Sequence, residues 1–327
     1  MIIETPILAG TNWVQSNKTN GDWKALCVIS TGRIIAASYS DTGIWYSDDN
    51  GITWTQSNRT NGYHLCLCVT STGKIIAGDP SNLYYSIDNG ETWSTISNAN
   101  IGGHAFCITS TGRIIVSTPT DGIWYSDDNG EGWTQSISNY WYALCVTPTG
   151  RIIAGSNSSS GIWYSDDNGI NWTQSNKTGG SCCTLCVTPT GRIIANMGVD
   201  FGGDIWYSDD NGVNWTRSIV GCWKSLCVTS TGRIIAGSGD EGNIGILYSD
   251  DNGETWTQSN KTNGIFYALC VTPTGRIIAG TANNIGTADT GIWYSDPSSI
   301  LTGSKYLDAE GLQEIHNQMM QYIQGVI

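Results

Sequence analysis

The chain has 327 residues, a formal net charge of −13 and only 13% charged residues, together with 41 Gly, 15 Trp and 11 Cys. So negative a chain is a poor partner for nucleic acid, because that binding rests on cations that neutralise phosphate. No apolar run reaches the length of a membrane-spanning helix, so we expect no membrane insertion.

A unit of about forty residues repeats along the sequence, and each copy opens with a short apolar segment that contains a Cys near its end. A turn with Gly and a basic residue follows, then a variable stretch, and then a segment that reads GIWYSDDNG and leads to a Trp. Such a fixed period is the signature of a repeat architecture. The Cys anchors are Cys27, Cys68, Cys107, Cys145, Cys186, Cys227 and Cys270.

Each copy contains four strand signals in chain order, written ALCV, RIIAG, GIWYS and WTQS in the more regular copies. They are rich in β-branched and aromatic residues and are bounded by turn residues, which is typical of strands. Four strands per period match one blade of a β-propeller, whereas no copy has the 3.6-residue apolar period of a helical solenoid. The seven Cys anchors therefore predict an all-β fold, a seven-bladed β-propeller of four-stranded antiparallel blades.

The two ends of the repeat region divide one copy between them. Trp13 corresponds to the Trp that ends a copy but lacks the preceding turn, and the GIWYSD segment that ends at Asp296 has no Trp after it. We therefore predict that strand 12–16 pairs with the strands of residues 266–295 and closes the ring. Residues 1–296 form the propeller in this interpretation.

The repeat ends at Asp296, and residues 297–304 (PSSILTGS) are predicted to be a linker. Residues 305–327 predict one amphipathic C-terminal α-helix, in which Leu312, Ile315 and Met319 belong to one apolar stripe. A helix this short is marginal alone in water, so we expect it to attach the protein to a virion partner or to form a homo-oligomer. The segment KYLDAEGL resembles short C-terminal helices of structural proteins of tailed bacteriophages, which implies a virion setting.

The segment Ser47–Trp54, SDDNGITW, resembles the Asp-box motif S-x-D-x-G-x-x-W of BNR or sialidase-type β-propellers, and six copies match in full. The resemblance covers about residues 10–296 and implies that the box is a hairpin between the third and fourth strands of a blade, a folding device and not an active site. Members of this family include hydrolases, assembly factors, sorting receptors and lectin-like binders, so the fold does not decide the function. The structural carboxylates are predicted to be Asp49, Asp88, Asp128, Asp167, Asp210 and Asp251.

The arginines do not support sialidase chemistry, which needs three of them on a substrate carboxylate and acidic groups for catalysis. Six of the eight Arg repeat at the turn after Gly and are interpreted as structural, so that only Arg59 and Arg217 remain. We therefore predict that the protein is not an enzyme. The Asp-rich boxes lack the bidentate Glu of a calcium loop, so we predict neither a metal site nor a cofactor.

The cysteines are expected to be buried as small apolar residues, because seven of them occupy one equivalent position in successive copies. The N-terminal sequence MIIETPILAG has neither the basic nor the apolar region of a signal peptide. Free thiols without a signal peptide predict synthesis in the reducing cytoplasm.

The copies differ most on one face of the predicted ring. Strand alternation puts both conserved turns on one face and the variable loops on the other, where the residues three and four positions before each Cys anchor are expected to ring the mouth of the central channel. The alternative is that these large side chains plug the mouth or pack between blades. The predicted ligand-binding residues are Trp23, Lys24, His64, His104, Trp141, Tyr142, Trp223, Lys224, Phe266 and Tyr267.

These observations together predict a non-enzymatic binding protein. Its rim of aromatic, His and Lys side chains would bind a cell-surface glycan or a protein receptor, with several weak sites acting through avidity in a phage virion or a similar assembly. A structural scaffold or assembly factor that grips a protein segment is the second class of function. A sialidase-like glycoside hydrolase is the third.

Overall fold

The computed structural model describes residues 10–40, 43–96, 101–118, 120–156, 160–199, 202–239, 244–281 and 290–296. All regular secondary structure in these ranges is β-strand, which confirms the predicted all-β fold. No helix in the described ranges has the length and apolar character that crossing a membrane requires. The predicted linker 297–304 and C-terminal helix 305–327 lie outside the described residues.

The strands form antiparallel sheets from consecutive segments of the chain. The first strand, β1 (Trp13–Gln15), precedes these consecutive groups. The first three four-stranded sheets are β2 (Trp23–Val28), β3 (Ile34–Ser38), β4 (Ile44–Ser47) and β5 (Thr55–Gln56); β6 (Cys66–Val69), β7 (Ile75–Gly78), β8 (Leu83–Ser86) and β9 (Ser94–Thr95); and β10 (Ala105–Ile108), β11 (Ile114–Thr118), β12 (Gly122–Ser126) and β13 (Thr134–Ile137).

Two further groups follow along the chain. A fourth sheet holds β14 (Trp141–Val146), β15 (Ile152–Ser156), β16 (Ile162–Ser165) and β17 (Thr173–Gln174). A seven-stranded sheet holds β18 (Ser181–Val187), β19 (Ile193–Val199), β20 (Gly202–Ser208), β21 (Thr216–Val228), β22 (Ile234–Ser238), β23 (Ile246–Ser249) and β24 (Thr257–Gln258). Within it, β21 pairs with β20 through its first half and with β22 through its second half, so one long strand serves two successive groups.

The last sheet joins the two ends of the described chain. It holds β25 (Phe266–Val271), β26 (Ile277–Thr281), β27 (Ile292–Ser295) and β1, in the order β1-β27-β26-β25. Trp13 lies opposite Ser295 and Val14 opposite Tyr294. The pairing predicted from the divided repeat is therefore confirmed.

The inner strands of successive sheets contact one another in a closed cycle. The order of contact is β2, β6, β10, β14, β18, β21, β25 and again β2. The core lies between neighbouring sheets, because the second strand of each group is buried on both faces. In β3, Ile34 packs with Ile278 on one side, whereas Ile35 packs with Ile75 on the other. This burial explains why the RII segments are apolar throughout and do not alternate.

The Asp-box turn is stabilised by its own carboxylate. Asp49 Oδ1 accepts hydrogen bonds from Ser47 Oγ and the Thr53 backbone N–H, at 2.9 and 2.8 Å, and Asp49 Oδ2 accepts one from Thr53 Oγ1 at 2.6 Å. Asn50 and Gly51 both adopt left-handed backbone angles, with φ of 59° and 84°, as a tight hairpin requires. The structural role predicted for the box aspartates agrees with this geometry.

The repeated arginines bind neighbouring sheets together on this same face. Arg33 forms two hydrogen bonds to Asp48 of its own sheet, at 2.7 and 2.9 Å, and donates a third to the backbone oxygen of Asn89 in the next sheet at 3.2 Å. Arg276 reaches the backbone oxygen of Asn50 at 3.4 Å and so connects the last sheet to the first. Both conserved turns therefore share one face of the ring, called the turn face below, and the interpretation of these arginines as structural is supported.

Candidate functional site

In five of the seven innermost strands, a β-bulge separates the two residues that precede the regular pairing. In β2, Trp23 lies opposite Ser38 and Ala25 opposite Ala37, which leaves Lys24 without a partner in the ladder. The same shift occurs around Tyr142, Cys183, Lys224 and Tyr267. A bulge re-aims a side chain, and here it separates the residue four positions before the Cys anchor from the residue three positions before it.

The residues four positions before the anchor do not face the channel, which corrects part of the predicted rim. Trp23, His64 and Phe266 are each 0% exposed, and Trp141 and Trp223 are each 1% exposed. The members of this set are Trp23, His64, Gly103, Trp141, Cys182, Trp223 and Phe266, and all are buried. The alternative stated above, that large side chains pack between blades, describes them correctly.

The neighbouring sheets leave room for these side chains by carrying Gly at the contact point. A Cβ atom on Gly280 would meet the Cβ of Trp23 at 2.5 Å, and one on Gly237 would meet the Cβ of Phe266 at 2.7 Å. Trp141 stacks on Trp172 with ring centroids 6.2 Å apart. These residues therefore form the contact between sheets and offer no surface to a ligand.

The residues three positions before each anchor converge on one cavity of about 610 Å³ at the centre of the ring. All of them line the cavity and all are partly exposed. This set, called the cavity ring below, consists of Lys24, Leu65, His104, Tyr142, Cys183, Lys224 and Tyr267. The structure thus brings together Lys24, His104, Tyr142, Lys224 and Tyr267 of the predicted site.

An apolar layer lies beneath the cavity ring. It is formed by the residues directly before the Cys anchors, which also line the cavity. The layer consists of Leu26, Leu67, Phe106, Leu144, Leu185, Leu226 and Leu269. The copies thus agree in this deeper layer and differ in the cavity ring above it, so the chemical identity of the site comes from the ring.

Two lysines approach the same tyrosine at the cavity mouth. Lys24 Nζ lies 3.1 Å from the centroid of the Tyr267 ring, and Lys224 Nζ lies 5.8 Å from it. Lys24 also forms an ion pair with Asp22, with Nζ 3.3 Å from Oδ1. Burial lowers the pKa of both lysines, an effect that Asp22 partly offsets at Lys24. The positive edge of the cavity is therefore held by partly desolvated ammonium groups.

A stacked pair of rings forms another part of the wall. The His104 and Tyr142 rings are 4.1 Å apart and within 9° of parallel, and His104 Nδ1 lies 3.0 Å from the Tyr142 backbone oxygen. Burial lowers the pKa of His104 to about 4, so the imidazole is neutral at neutral pH. The pair offers a flat, uncharged surface.

The sequence prediction missed some residues of this site. Leu65 and Cys183 occupy the same repeat position as the predicted residues. The sequence prediction left them out because their side chains are less typical of a binding site than aromatic, His or Lys side chains. Tyr39 comes from the variable loop after β3; it lines the cavity and lies 5.5 Å from Lys24 Nζ. Its ring centroid is 5.3 Å from that of Tyr63, which is 52% exposed, so an aromatic surface extends outward from the cavity.

The described lining carries little that resembles a catalytic or metal site. It contains neither Arg nor a carboxylate residue. Arg59 lies over the Tyr84 ring at 3.9 Å, and Arg217 pairs with Asp204 at 3.4 Å, so the two arginines outside the repeat pattern bind elsewhere. In the described part of the chain no group of three or more His, Cys, Asp or Glu side chains could hold a metal ion. Burial raises the pKa of the Cys183 thiol, which reduces its reactivity.

A second cavity of about 430 Å³ opens on the turn face. Its lining is formed by equivalent turn residues of three successive copies, which include Thr147, Pro148, Thr188, Pro189 and Thr229. Because these residues are nearly the same in each copy, this cavity has no chemical asymmetry to select a ligand. The cavity enclosed by the cavity ring is the stronger candidate.

The BNR/Asp-box repeat family matches the chain at residues 45–56, 84–95, 163–174, 206–217 and 247–258. The predicted copy at 126–133 lies outside these matches, but Ser126 Oγ donates to Asp128 Oδ1 at 2.8 Å as in the other boxes. No curated protein matches the chain significantly.

Several solved structures share the fold. A streptogramin B lyase structure is 11% identical with a TM-score of 0.68, over 87% of this chain and 96% of that one. YCF48 bound to D1 peptide is 19% identical with a TM-score of 0.66, over 87% of this chain and 94% of that one. The extracellular domain of the putative one component system BT4673 from B. thetaiotaomicron is 12% identical with a TM-score of 0.69; the match covers 90% of this chain but 41% of that one. Identities this low show the propeller-type fold alone.

Proposed function

We propose that this Asp-box repeat protein is a non-enzymatic binding protein that holds part of its ligand in the central cavity. The convergence of the whole cavity ring on one opening is the observation that carries the proposal. The residues of the cavity ring differ from copy to copy and are partly exposed, whereas the equally variable residues four positions before the anchors are buried between sheets. Binding residues on a rigid scaffold are free to differ from copy to copy.

A cell-surface glycan is the ligand that we propose first. Tyr142 and Tyr267 present ring surface within the cavity, and Tyr39 and Tyr63 continue that surface outward. Aromatic faces pack on the apolar faces of sugar rings, while the ammonium groups of Lys24 and Lys224 supply hydrogen-bond donors for hydroxyl or acidic groups. A mouth that combines Lys and Tyr side chains suits a group that stays partly in water.

The proposed setting is a phage virion or a similar assembly, in which residues 305–327 attach or oligomerise the protein. This part of the proposal rests on the sequence of those residues. Deleting 305–327 is expected to lower the number of chains in the native assembly, measured as its native mass divided by the mass of one chain, or to abolish binding to a virion partner. An unchanged native mass together with retained partner binding would remove the proposed role of the segment.

A second candidate is the binding of a protein segment. The apolar layer, which includes Leu26, Phe106 and Leu226, suits a buried peptide side chain better than a sugar. A structural neighbour, YCF48, was solved with a bound D1 peptide, which is a property of that protein. Capture of one protein partner with failure of every glycan would favour this candidate.

A hydrolase is the third candidate and has less support. Glycoside hydrolysis uses a pair of carboxylates at the scissile bond, and the described cavity lining offers none. Turnover of a sialoside that a cavity-ring substitution abolishes would establish it instead. The structural neighbours include a lyase, so the fold itself does not exclude catalysis.

We also propose that the ring has seven blades. The cyclic contact order of the inner strands supports this number if β21 is counted in two groups. An experimental structure of the protein would test the count directly, because each blade contributes one inner strand to the ring.

The experiment that tests the proposed function is a glycan-array screen of four proteins. These are the wild type, Tyr142→Ala, Tyr267→Ala and the control Tyr140→Ala, whose tyrosine is 48% exposed but does not line the cavity. We expect the wild type and the control to bind the same glycans and the two cavity variants to lose them. Binding that survives in both cavity variants would contradict the site, and no binding by any of the four would favour the protein-segment candidate.

A further inference from the structure

The charge at the cavity mouth differs in sign from the charge of the whole protein. The chain carries a formal net charge of −13, yet the charged side chains in the described lining are Lys24 and Lys224. The carboxylate of Asp22 pairs with Lys24 from outside the lining. A local positive region in an acidic protein favours approach and binding of an anion at that place.

Both ammonium groups are held in position by the surrounding structure. The Lys24 side chain is only 18% exposed and lies between the rings of Tyr39 and Tyr267, at 5.5 and 3.1 Å from their centroids. Lys224 Nζ lies 5.8 Å from the Tyr267 centroid and comes from β21, the inner strand that precedes β25 in the cycle of contacts. Both lysines are bulge residues, so the backbone points them into the cavity. The donors are therefore preorganised, which limits the entropy lost on binding.

Burial costs these lysines part of their hydration and lowers their pKa. Asp22 recovers part of this cost at Lys24. A bound anion favours the charged form of both lysines more strongly than a neutral hydroxyl does. The neutral His104 adds no positive charge at neutral pH, so the lysines alone set the positive charge of the described lining.

We infer that the cavity selects an anionic ligand, whose carboxylate binds between Lys24 and Lys224 at the cavity mouth. This inference rests on the proposed function of the same cavity and names the ligand class: under that function the ligand is an acidic sugar. The apolar layer lies below this binding position. A peptide carboxylate has the same anionic chemistry and is the other source that the experiment separates.

The test follows the lysine side chains by NMR on the full-length protein with ¹³C-labelled lysine. The probes are glucuronate against glucose, and N-acetyl-leucine against N-acetyl-leucinamide, so that each acid has a neutral counterpart. The variants Lys24→Met and Lys224→Met assign their own signals. Lys177→Met is the matched control, because Lys177 Nζ lies 4.0 Å from the Trp206 ring centroid and does not line the cavity.

We expect an acid to shift the Lys24 and Lys224 signals to saturation, with the Lys177 signal unchanged and the neutral counterpart inactive. Each cavity-lysine variant should lower the affinity for the acid by about tenfold or more, because it loses a charge-assisted hydrogen bond. Lys177→Met should leave this affinity unchanged. Saturation by glucuronate supports an acidic sugar, and saturation by N-acetyl-leucine alone supports a peptide carboxylate.

Neutral probes that bind as tightly as the acids would overturn the inference, and so would the absence of a saturable shift with both acids. Neither result decides the proposed function, which depends on the array. A neutral glycan that the wild type binds and Tyr267→Ala loses would leave the function standing without its anionic ligand.

Discussion

Lys24 Nζ lies 3.1 Å from the centroid of the Tyr267 side chain, although Lys24 is in β2 and Tyr267 in β25, the first and last inner strands in the chain. The contact exists because the ends of the repeat region close on each other through β1 and β27. The candidate site therefore depends on closure of the ring. A ring that opened between these sheets would separate the lysine from its tyrosine and divide the cavity.

The first prediction concerns closure and compares two equivalent tryptophans. Trp13 Nε1 donates to the Gly10 backbone oxygen at 3.0 Å, and Trp54 Nε1 donates to that of Gly51 at 3.1 Å; both tryptophans are 6% exposed. Trp13→Ala and Trp54→Ala should each lower the free energy of unfolding by about 3–5 kcal/mol, because each leaves a cavity in the core. Urea denaturation measures both.

The comparison separates a closed ring from an open one. If Trp13→Ala stayed within about 0.5 kcal/mol of the wild type while Trp54→Ala was destabilised, the N-terminal strand would not be part of the core. The account requires similar losses.

The second prediction separates packing residues from cavity residues that are adjacent in sequence. Trp141 is 1% exposed and packs against the Trp163 and Trp172 rings. Trp141→Ala should cost about 3–5 kcal/mol of unfolding free energy, whereas Tyr142→Ala, at a partly exposed position, should cost less than about 2 kcal/mol. Equal losses at the two positions, measured by urea denaturation, would speak against the separation that the bulge produces.

The third prediction concerns acid sensitivity at a buried histidine. His64 is 0% exposed, its Nδ1 has no hydrogen-bond partner in the described structure, and burial lowers its pKa from 6.5 to about 4. The unfolded chain therefore binds more protons than the folded chain between these pH values, so stability falls as the pH falls through this window. His64 alone should contribute a loss of about 2 kcal/mol between pH 7 and pH 5.

The variant His64→Phe cannot be protonated and should lose correspondingly less stability over the same interval. Urea denaturation of both proteins at pH 7 and pH 5 gives the comparison, and differences within one protein cancel any effect of the substitution on packing. An identical pH dependence in wild type and variant would show that His64 is already accessible to protons in the folded state.

The fourth prediction concerns the pH dependence of anion binding. Because burial lowers the pKa of Lys24 and Lys224, both should lose their charge at lower pH than an ordinary lysine of pKa 10.5. Affinity for glucuronate should therefore fall as the pH rises through these lowered pKa values, before ordinary lysines deprotonate. Titration calorimetry across the alkaline range measures this, and a constant affinity up to the ordinary lysine pKa would contradict it.

The fold followed from the sequence because repetition reports architecture directly. The isolated Trp13 was enough to predict that the chain ends pair, since a propeller blade must complete its outer strand. The repetition of the arginines at one position likewise indicated a structural role, and Arg33 and Arg276 do connect neighbouring sheets.

The candidate site was predicted only in part, because sequence position alone did not reveal the bulge. Trp23 and Lys24 begin the same strand, and both were expected at the mouth, but the ladder shift between Trp23 and Ala25 sends one side chain between sheets and the other into the cavity. A Gly at the facing position, such as Gly280, is the signal that could have identified the buried partner. Tyr39 was missed because it reaches the cavity from another loop.

The measurement that tests the central claim most directly is the binding of the glycan selected on the array to a protein whose cavity is filled. Leu65 belongs to the cavity ring and carries no polar group, so Leu65→Trp adds bulk at the mouth without removing a charge or a hydrogen bond. Ile87→Trp is the control, since Ile87 is 78% exposed, lies at the variable second position of an Asp-box and does not line the cavity. Both variants should unfold like the wild type; Leu65→Trp should lose glycan binding and Ile87→Trp should keep it. Full binding by a folded Leu65→Trp protein would show that the ligand does not enter this cavity.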